Sequence, residues 1–318
     1  MATQTFEDLK RDFTIEGNDS ATWEKTPGGL SMLFIRTEQC EARVFAHGGH
    51  VAAWTPAGQR PGLHLSPKSA FDPKKAIRGG IPICFPWFGN RSGGHPARDA
   101  ELKSPAHGFV RTRAWHVDEV SLEENGRMRV VMSMHDDDET RALWDAAFQA
   151  TVTATLGQTL QVSLAVKNTG TSDLEIEEAL HTYLEVGDVN LVKIVGLEAT
   201  QYIDKVDDFK EKTSGTTPLM LSGETDSIYL ATKGTVTVDD PLLKRHIRVE
   251  KTGSTSTVVW NPWMVKATAM PDVGGDAWKS FVCVEAANVK PGHNISIPQG
   301  AVHTVSTRLT ILPQTREA

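Results

Sequence analysis

Cysteine is scarce in this chain. Cys40, Cys84 and Cys283 are the only three in 318 residues, scattered and without a C-x-x-C pair. That excludes a disulfide framework and fits a reducing compartment, so a cytoplasmic location is expected. Long apolar runs are missing too. No stretch approaches ~18 uninterrupted apolar residues, and MATQTFEDLKRDF contains no apolar segment, so neither membrane spanning nor export is expected. Basic residues do not predominate either: 33 Lys and Arg stand against 40 Asp and Glu, for a net charge of −7. A nucleic-acid partner, which calls for a basic surface, is therefore not expected. A few arginines in a cleft could still attract an anionic small molecule, because local charge can oppose the global sign. Finally, no H-E-x-x-H, clustered Cys/His spacing or G-x-x-x-x-G-K-[ST] loop occurs. No metal, nucleotide or other cofactor is expected.

What the chain does have is short β-type runs divided by turn residues. Phe148, Ala150, Val152, Ala154 and Leu156 alternate with polar neighbours, Gly157-Gln158 turns, and Leu160, Val162, Leu164 and Val166 alternate again. This spacing predicts a hairpin. A further run is read from Leu174 to Val186, and others over 30–37, 41–54, 109–134, 189–197, 234–239, 246–260 and 295–312. Helix is expected only over 139–147 and, weakly, 275–279. With no linker, repeat or low-complexity tract, residues 1–318 are read as one large antiparallel β domain, a sandwich or super-sandwich.

Two strand positions break the apolar pattern. In SFVCVEAANV (280–289), Phe281, Cys283 and Glu285 share one face and Val282, Val284 and Ala286 the other. With both faces apolar, the strand should be covered on both sides, and an unpaired carboxylate there would cost several kcal/mol. In the run from Leu174, His181 and Tyr183 lie opposite Leu180 and Leu184, which suggests the wall of a polar cleft. A hydrogen-bonded structural glutamate or histidine would read the same way locally.

Two further stretches suit ligand binding. IRGGIPICFPWFGN (77–90) combines Arg78, two glycines that permit close backbone approach, and the flat faces of Phe85, Trp87 and Phe88. PAHGFVRTR (105–113) adds His107, Arg111 and Arg113, with both arginines placed by parity on the face of Phe109 and Trp115. Arginine forks suit phosphate and hydroxyl groups, and aromatic faces suit the C–H side of a sugar ring.

Taken in order, RGGIPICFPWFG, AHGFVR, ALHTYLEVGD, YIDKVDD, VVWNPW and FVCVEAANV resemble the D-hexose-6-phosphate mutarotase branch of the aldose 1-epimerase family. The resemblance covers roughly residues 30 to 312. It implies a galactose-mutarotase-type β super-sandwich, a hexose 6-phosphate substrate and a monomer. His181 and Glu285 then match the catalytic pair; Arg78, Arg111, His107 and Trp87 would bind substrate, and Asp204 would contact sugar hydroxyls. One departure is Ala106, where some members carry Gln, so a substrate contact from that side chain is absent.

The implied chemistry needs one base and one acid. Opening a hemiacetal takes a proton from the C1 hydroxyl and gives one to the ring oxygen; Glu285 and His181 would do this without a metal. Two alternatives remain open: a non-catalytic carbohydrate-binding protein, and a mutarotase acting on unphosphorylated aldoses. A glycoside hydrolase would need two carboxylates flanking the bond, for which Asp204 and Glu285 are candidates.

Overall fold

In the computed structural model, residues 4–91, 104–289 and 294–314 are described. Their strands form three larger antiparallel sheets and a two-stranded ribbon of Leu174–Ile176 with Ile295–Ile297. A four-stranded meander runs through Ser20–Lys25, Ser31–Arg36, Cys40–Phe45 and His50–Pro56. The first eight-stranded sheet has the order Lys193–Val195, Val236–Asp240, Arg245–Thr252, Val302–Pro313, Thr159–Asn168, Phe148–Leu156, Met128–His135 and His116–Leu122. Its strands are long because their patterning is clean. Phe148–Leu156 and Thr159–Asn168 alternate buried and half-exposed residues almost without exception, as a half-covered sheet requires. The turn at Gly157-Gln158 joins them in the expected register, Leu156 opposite Leu160.

The second eight-stranded sheet runs Lys210–Thr213, Gln201–Asp204, Thr225–Tyr229, Ser256–Asn261, Phe281–Asn288, Glu178–Leu180 and Ile83–Cys84, with Tyr183–Glu185 also paired to Phe281–Asn288. Val282, Val284 and Ala286 belong to the main core with Val152, Leu164, Val249 and Leu309 of the first sheet. Cys84, Ala179, Ile203, Ile228, Val258 and Ala287 form a separate apolar cluster. Phe281–Asn288 is therefore buried at every position, as its two-faced apolar pattern predicts. This is the large antiparallel β super-sandwich expected from the strand pattern.

Several runs differ from their sequence reading. The run over 41–54 is a hairpin, turned at Gly48-Gly49. Residues 110–112 form a 3-10 turn, and extended structure begins only at His116. The run over 246–260 divides at Gly253, sending Arg245–Thr252 into one sheet and Ser256–Asn261 into the other. The predicted strand from Leu174 to Val186 is three short strands. It breaks at His181-Thr182, where His181 donates its N–H to the Pro82 carbonyl and Thr182 to that of Leu180. Helix forms at Asp138–Leu143, overlapping the predicted window over 139–147, and as a 3-10 turn at Gly275–Ser280. Two helices were not anticipated, Phe6–Phe13 and Trp263–Thr268.

Candidate active site

The strand register brings the two anomalous residues together. Leu180 pairs with Ala286 and Tyr183 with Cys283, so His181 comes to lie across from Glu285. His181 Nδ1 is 3.3 Å from Glu285 Oε1. Glu285 is completely buried and His181 is 7% exposed. Among the described residues, neither carboxylate oxygen has a hydrogen-bond partner, and the Nδ1 contact is not a well-aligned hydrogen bond. Such unsatisfied buried groups are rare and point to function. The imidazole is held by packing: its ring stacks on Tyr183 at 4.9 Å and meets Trp260 edge-on at 5.7 Å.

Burial dominates the protonation of both. Desolvation, then the Asp226 charge, push the Glu285 carboxyl well above the ordinary range, against Lys205 and Arg111. Desolvation, then Arg111 and Arg78, hold the His181 imidazole well below its usual value. The neutral form of each is favoured, so the pair carries one proton, on the carboxyl.

Above this pair lies a cavity of about 270 Å³, lined by Arg78, Phe88, Ala106, His107, Arg111, Lys205, Asp226, Trp260, Lys266 and Met270. Glycine makes its closest walls possible. A Cβ at Gly108 (φ 73°) would lie 1.8 Å from the Phe85 carbonyl oxygen, and one at Gly80 would lie 2.4 Å from that of Val51. Only glycine lets the AHGF turn lie on the strand at Ile83–Cys84. The neighbouring His107 takes the left-handed conformation, φ 61°, uncommon for a side-chain-bearing residue. Its Nδ1 accepts the Gly89 N–H at 3.3 Å, which leaves the proton on Nε2. Desolvation, then Arg111, hold this imidazole neutral as well.

The arginines differ. Arg78 donates Nε to Asp272 Oδ2 at 2.9 Å and Nη1 to the Tyr183 hydroxyl at 3.0 Å, with Nη2 2.8 Å from the same Asp272 oxygen. Arg111 donates Nη2 to the Ala106 carbonyl at 2.8 Å and has no carboxylate partner among the described residues. Burial lowers its pKa. Lys205 is 2.9 Å from Asp226, and Lys266 is 2.6 Å from Glu224.

Of the residues named from sequence, His181, Glu285, Arg78, Arg111 and His107 converge on this cavity. Trp87 and Asp204 do not line it. Trp87 is buried against Phe109 and donates its indole N–H to Pro105; its neighbour Phe88 faces the cleft. Asp204 caps the 3-10 turn Lys205–Asp207 by accepting from the Val206 N–H, and its second oxygen is 2.8 Å from Lys212. The cleft carboxylate is instead Asp226, which sequence reading missed. A signal was present: Asp226 shares a strand face with apolar Ile228, the same anomaly that marks Glu285. Arg113, placed beside Arg111 by strand parity, leaves the cleft because the 3-10 turn breaks that parity. It lies 3.5 Å from Asp137 and 3.0 Å from Glu139.

Donor atoms of His181, Cys283 and Glu285 lie within 4.8 Å of one another, a set that could ligate a metal. The surrounding Arg78, Arg111 and Lys205 oppose a cation there, and burial keeps the Cys283 thiol strongly protonated. The donor set fits proton transfer better.

A buried histidine–glutamate pair on the floor of a cation-lined cleft, mounted on a β super-sandwich, is suited to moving protons on an anionic ligand. The chain belongs to the aldose 1-epimerase family, whose model matches residues 32–310. It is 34% identical over 84% of its length, and 80% of the relative's, to a Cenchrus ciliaris protein named "Putative glucose-6-phosphate 1-epimerase". An Escherichia coli K12 protein of the same name is 33% identical, over 81% of this chain and 83% of that one. The fold is also similar to a Salmonella typhimurium crystal structure titled "putative mutarotase (YeaD)". That match has a TM-score of 0.83 at 26% identity, covering 94% of this chain and 96% of that one. No helix among the described residues is long and apolar enough to cross a membrane.

Proposed function

We propose that this protein is an isomerase that interconverts the α and β anomers of a hexose 6-phosphate, glucose 6-phosphate being the substrate its relatives' names carry. The observation that carries the reading is the unpartnered His181–Glu285 pair, 3.3 Å apart, beneath a cleft lined by four cationic side chains. Glu285 takes the C1 hydroxyl proton while His181 gives one to the ring oxygen. After opening, Glu285 is protonated and His181 neutral, the combination that burial favours. The aldehyde carbon turns about the C1–C2 bond, and the reverse transfers close the ring on the other face. Each positioned group supplies ~10²–10⁴-fold. His107 offers Nε2–H to a sugar oxygen, and Asp226 accepts from a hydroxyl. Phe88 and Trp260 present apolar faces.

Arg111 is the preferred phosphate ligand because its buried charge has no carboxylate partner among the described residues, whereas Arg78 already holds Asp272. Exchange NMR should show accelerated anomer exchange of α-glucose 6-phosphate and no hydrolysis of a glycoside. Hydrolysis would favour the glycosidase reading, and binding without acceleration would favour a carbohydrate-binding protein. Arg111→Ala should lower the ratio of kcat/KM for glucose 6-phosphate over glucose by about 10- to 150-fold, the scale of a lost charge-assisted contact. An unchanged ratio would move the phosphate to Lys205 or Arg78.

A further inference from the structure

The cationic end of the cleft is not mechanically separate from the proton-transfer pair. Arg78 is hydrogen-bonded to the Tyr183 hydroxyl at 3.0 Å, and the Tyr183 ring lies face to face with the His181 imidazole, 4.9 Å away and tilted by only 12°. Three groups in contact thus lead from the anion-attracting side chains to the acid. Arg111 faces the same cavity and makes no ion pair with a carboxylate among the described residues.

We propose that an oxyanion seated on Arg111 and Arg78 activates the proton-transfer pair in addition to anchoring the substrate, so that an inorganic oxyanion supplied separately speeds anomer exchange of a hexose with no phosphate of its own. The proposal rests on the hexose 6-phosphate reading and deepens it.

The physical reason lies in which state of the pair a cyclic sugar needs. Ring opening starts from an ionised Glu285 and a protonated His181, the opposite of what burial favours. After burial itself, the charges that oppose a proton on His181 are those of Arg111, Arg78 and Lys205. A dianion among them cancels that opposition. On Glu285 the opposing cations are Lys205 and Arg111. Arg78 is joined through the Tyr183 ring to the imidazole, so an anion seated on it lies toward the His181 side of the pair. Four other neighbours do not reverse the balance. His107 is held neutral, and the buried Tyr183 hydroxyl and Cys283 thiol stay protonated, their pKa values raised by burial. Asp226 is already engaged by Lys205 at 2.9 Å. Charging of the acid is thereby tied to arrival of a phosphorylated substrate. Binding energy from a part of the substrate remote from C1 is then expressed as rate.

The test uses sulfate, a dianion too weakly basic to catalyse mutarotation appreciably in solution. Anomer exchange of glucose is followed by NMR with the wild-type protein over a sulfate series, at ionic strength held constant with chloride. Enzyme-free rates are subtracted at each point. The expected result is a saturable rise in the enzyme-catalysed rate of about tenfold or more, the scale of one charge-assisted contact. The same sulfate should inhibit glucose 6-phosphate exchange competitively. In Arg111→Ala the ratio of rates with and without sulfate should fall towards one. If that variant loses its thermal transition, Arg111→Lys serves instead, with reduced activation expected. Competitive inhibition of glucose 6-phosphate exchange without activation of glucose would overturn the proposal and leave the substrate reading standing. Activation that is unchanged in the Arg111 variants would also overturn it. Glucose 6-phosphate turnover no faster than that of glucose, with sulfate inert on both, would remove the substrate reading itself.

Discussion

The two eight-stranded sheets solve opposite problems. The one containing Phe148–Leu156 and Thr159–Asn168 is built of long strands whose buried and half-exposed positions alternate. The other uses strands as short as Ile83–Cys84, interrupts its pairing at His181-Thr182, and carries Glu285 in a fully buried strand with no hydrogen bond among the described residues. Alternation holds along those two long strands of the first sheet, whereas in the second the pairing break and the unsatisfied carboxylate coincide with the cleft. Regular pairing and packing in one layer supply the rigidity that holds unsatisfied groups in the other.

The sharpest way to break this comparison is to exchange the consequences. Glu285→Gln and His181→Asn should each lower the exchange rate by about 10²–10⁴-fold, with little change in thermal melting. Leu164→Ala, in the regular sheet, should do the reverse. Removing this fully buried side chain should cost about 2–5 kcal/mol of stability, while exchange per folded molecule stays near wild type. NMR exchange beside a thermal melt reads both quantities. A folded Glu285→Gln with near-normal rates would remove Glu285 from the mechanism, and an inactive but stable Leu164→Ala would dissolve the distinction between the layers.

The protonation of the pair gives an intermediate effect. His181 is held below the usual imidazole value of 6.5 and Glu285 above the usual carboxylate value of 4.5. The pair gains its second proton only below ordinary imidazole pH, and loses its last proton only above ordinary carboxylate pH. Activity requires the one-proton state, so kcat/KM should form a plateau bounded by those two limbs, falling up to tenfold per pH unit beyond each. An acid limb above pH 6.5 would contradict the inferred state.

The smallest effect is expected at Asp272, which is bound to Arg78 but does not line the cleft. Asp272→Ala should raise KM for glucose 6-phosphate about two- to fivefold, the scale of a half-exposed ion pair, with kcat nearly unchanged. A larger loss, or one in kcat, would place Asp272 on the substrate or in the route to His181.

Much of this was legible along the chain because β structure writes itself with period two. Alternation located the hairpin at Gly157-Gln158, and the same parity exposed Glu285 and His181 as residues on the wrong face. Parity fails wherever the backbone leaves the strand. The 3-10 turn Val110–Thr112 carries Arg111 into the cleft and leaves Arg113 on the surface. In the other aromatic segment, Phe88 takes the cleft position expected of Trp87, and Trp87 goes to the core.

By itself, then, the sequence determined the all-β class, the anomalous carboxylate and histidine, and the order of motifs that marks the family. Only the tertiary structure decided that His181 lies across from Glu285, that Asp226 rather than Asp204 faces the cleft, and that among the described residues Arg78 has a carboxylate partner while Arg111 has none. The reason is one of range. Strand periodicity and turn chemistry act between residues a few positions apart, whereas register between distant strands and pairing of buried charges depend on contacts such as Arg78 with Asp272, 194 residues apart.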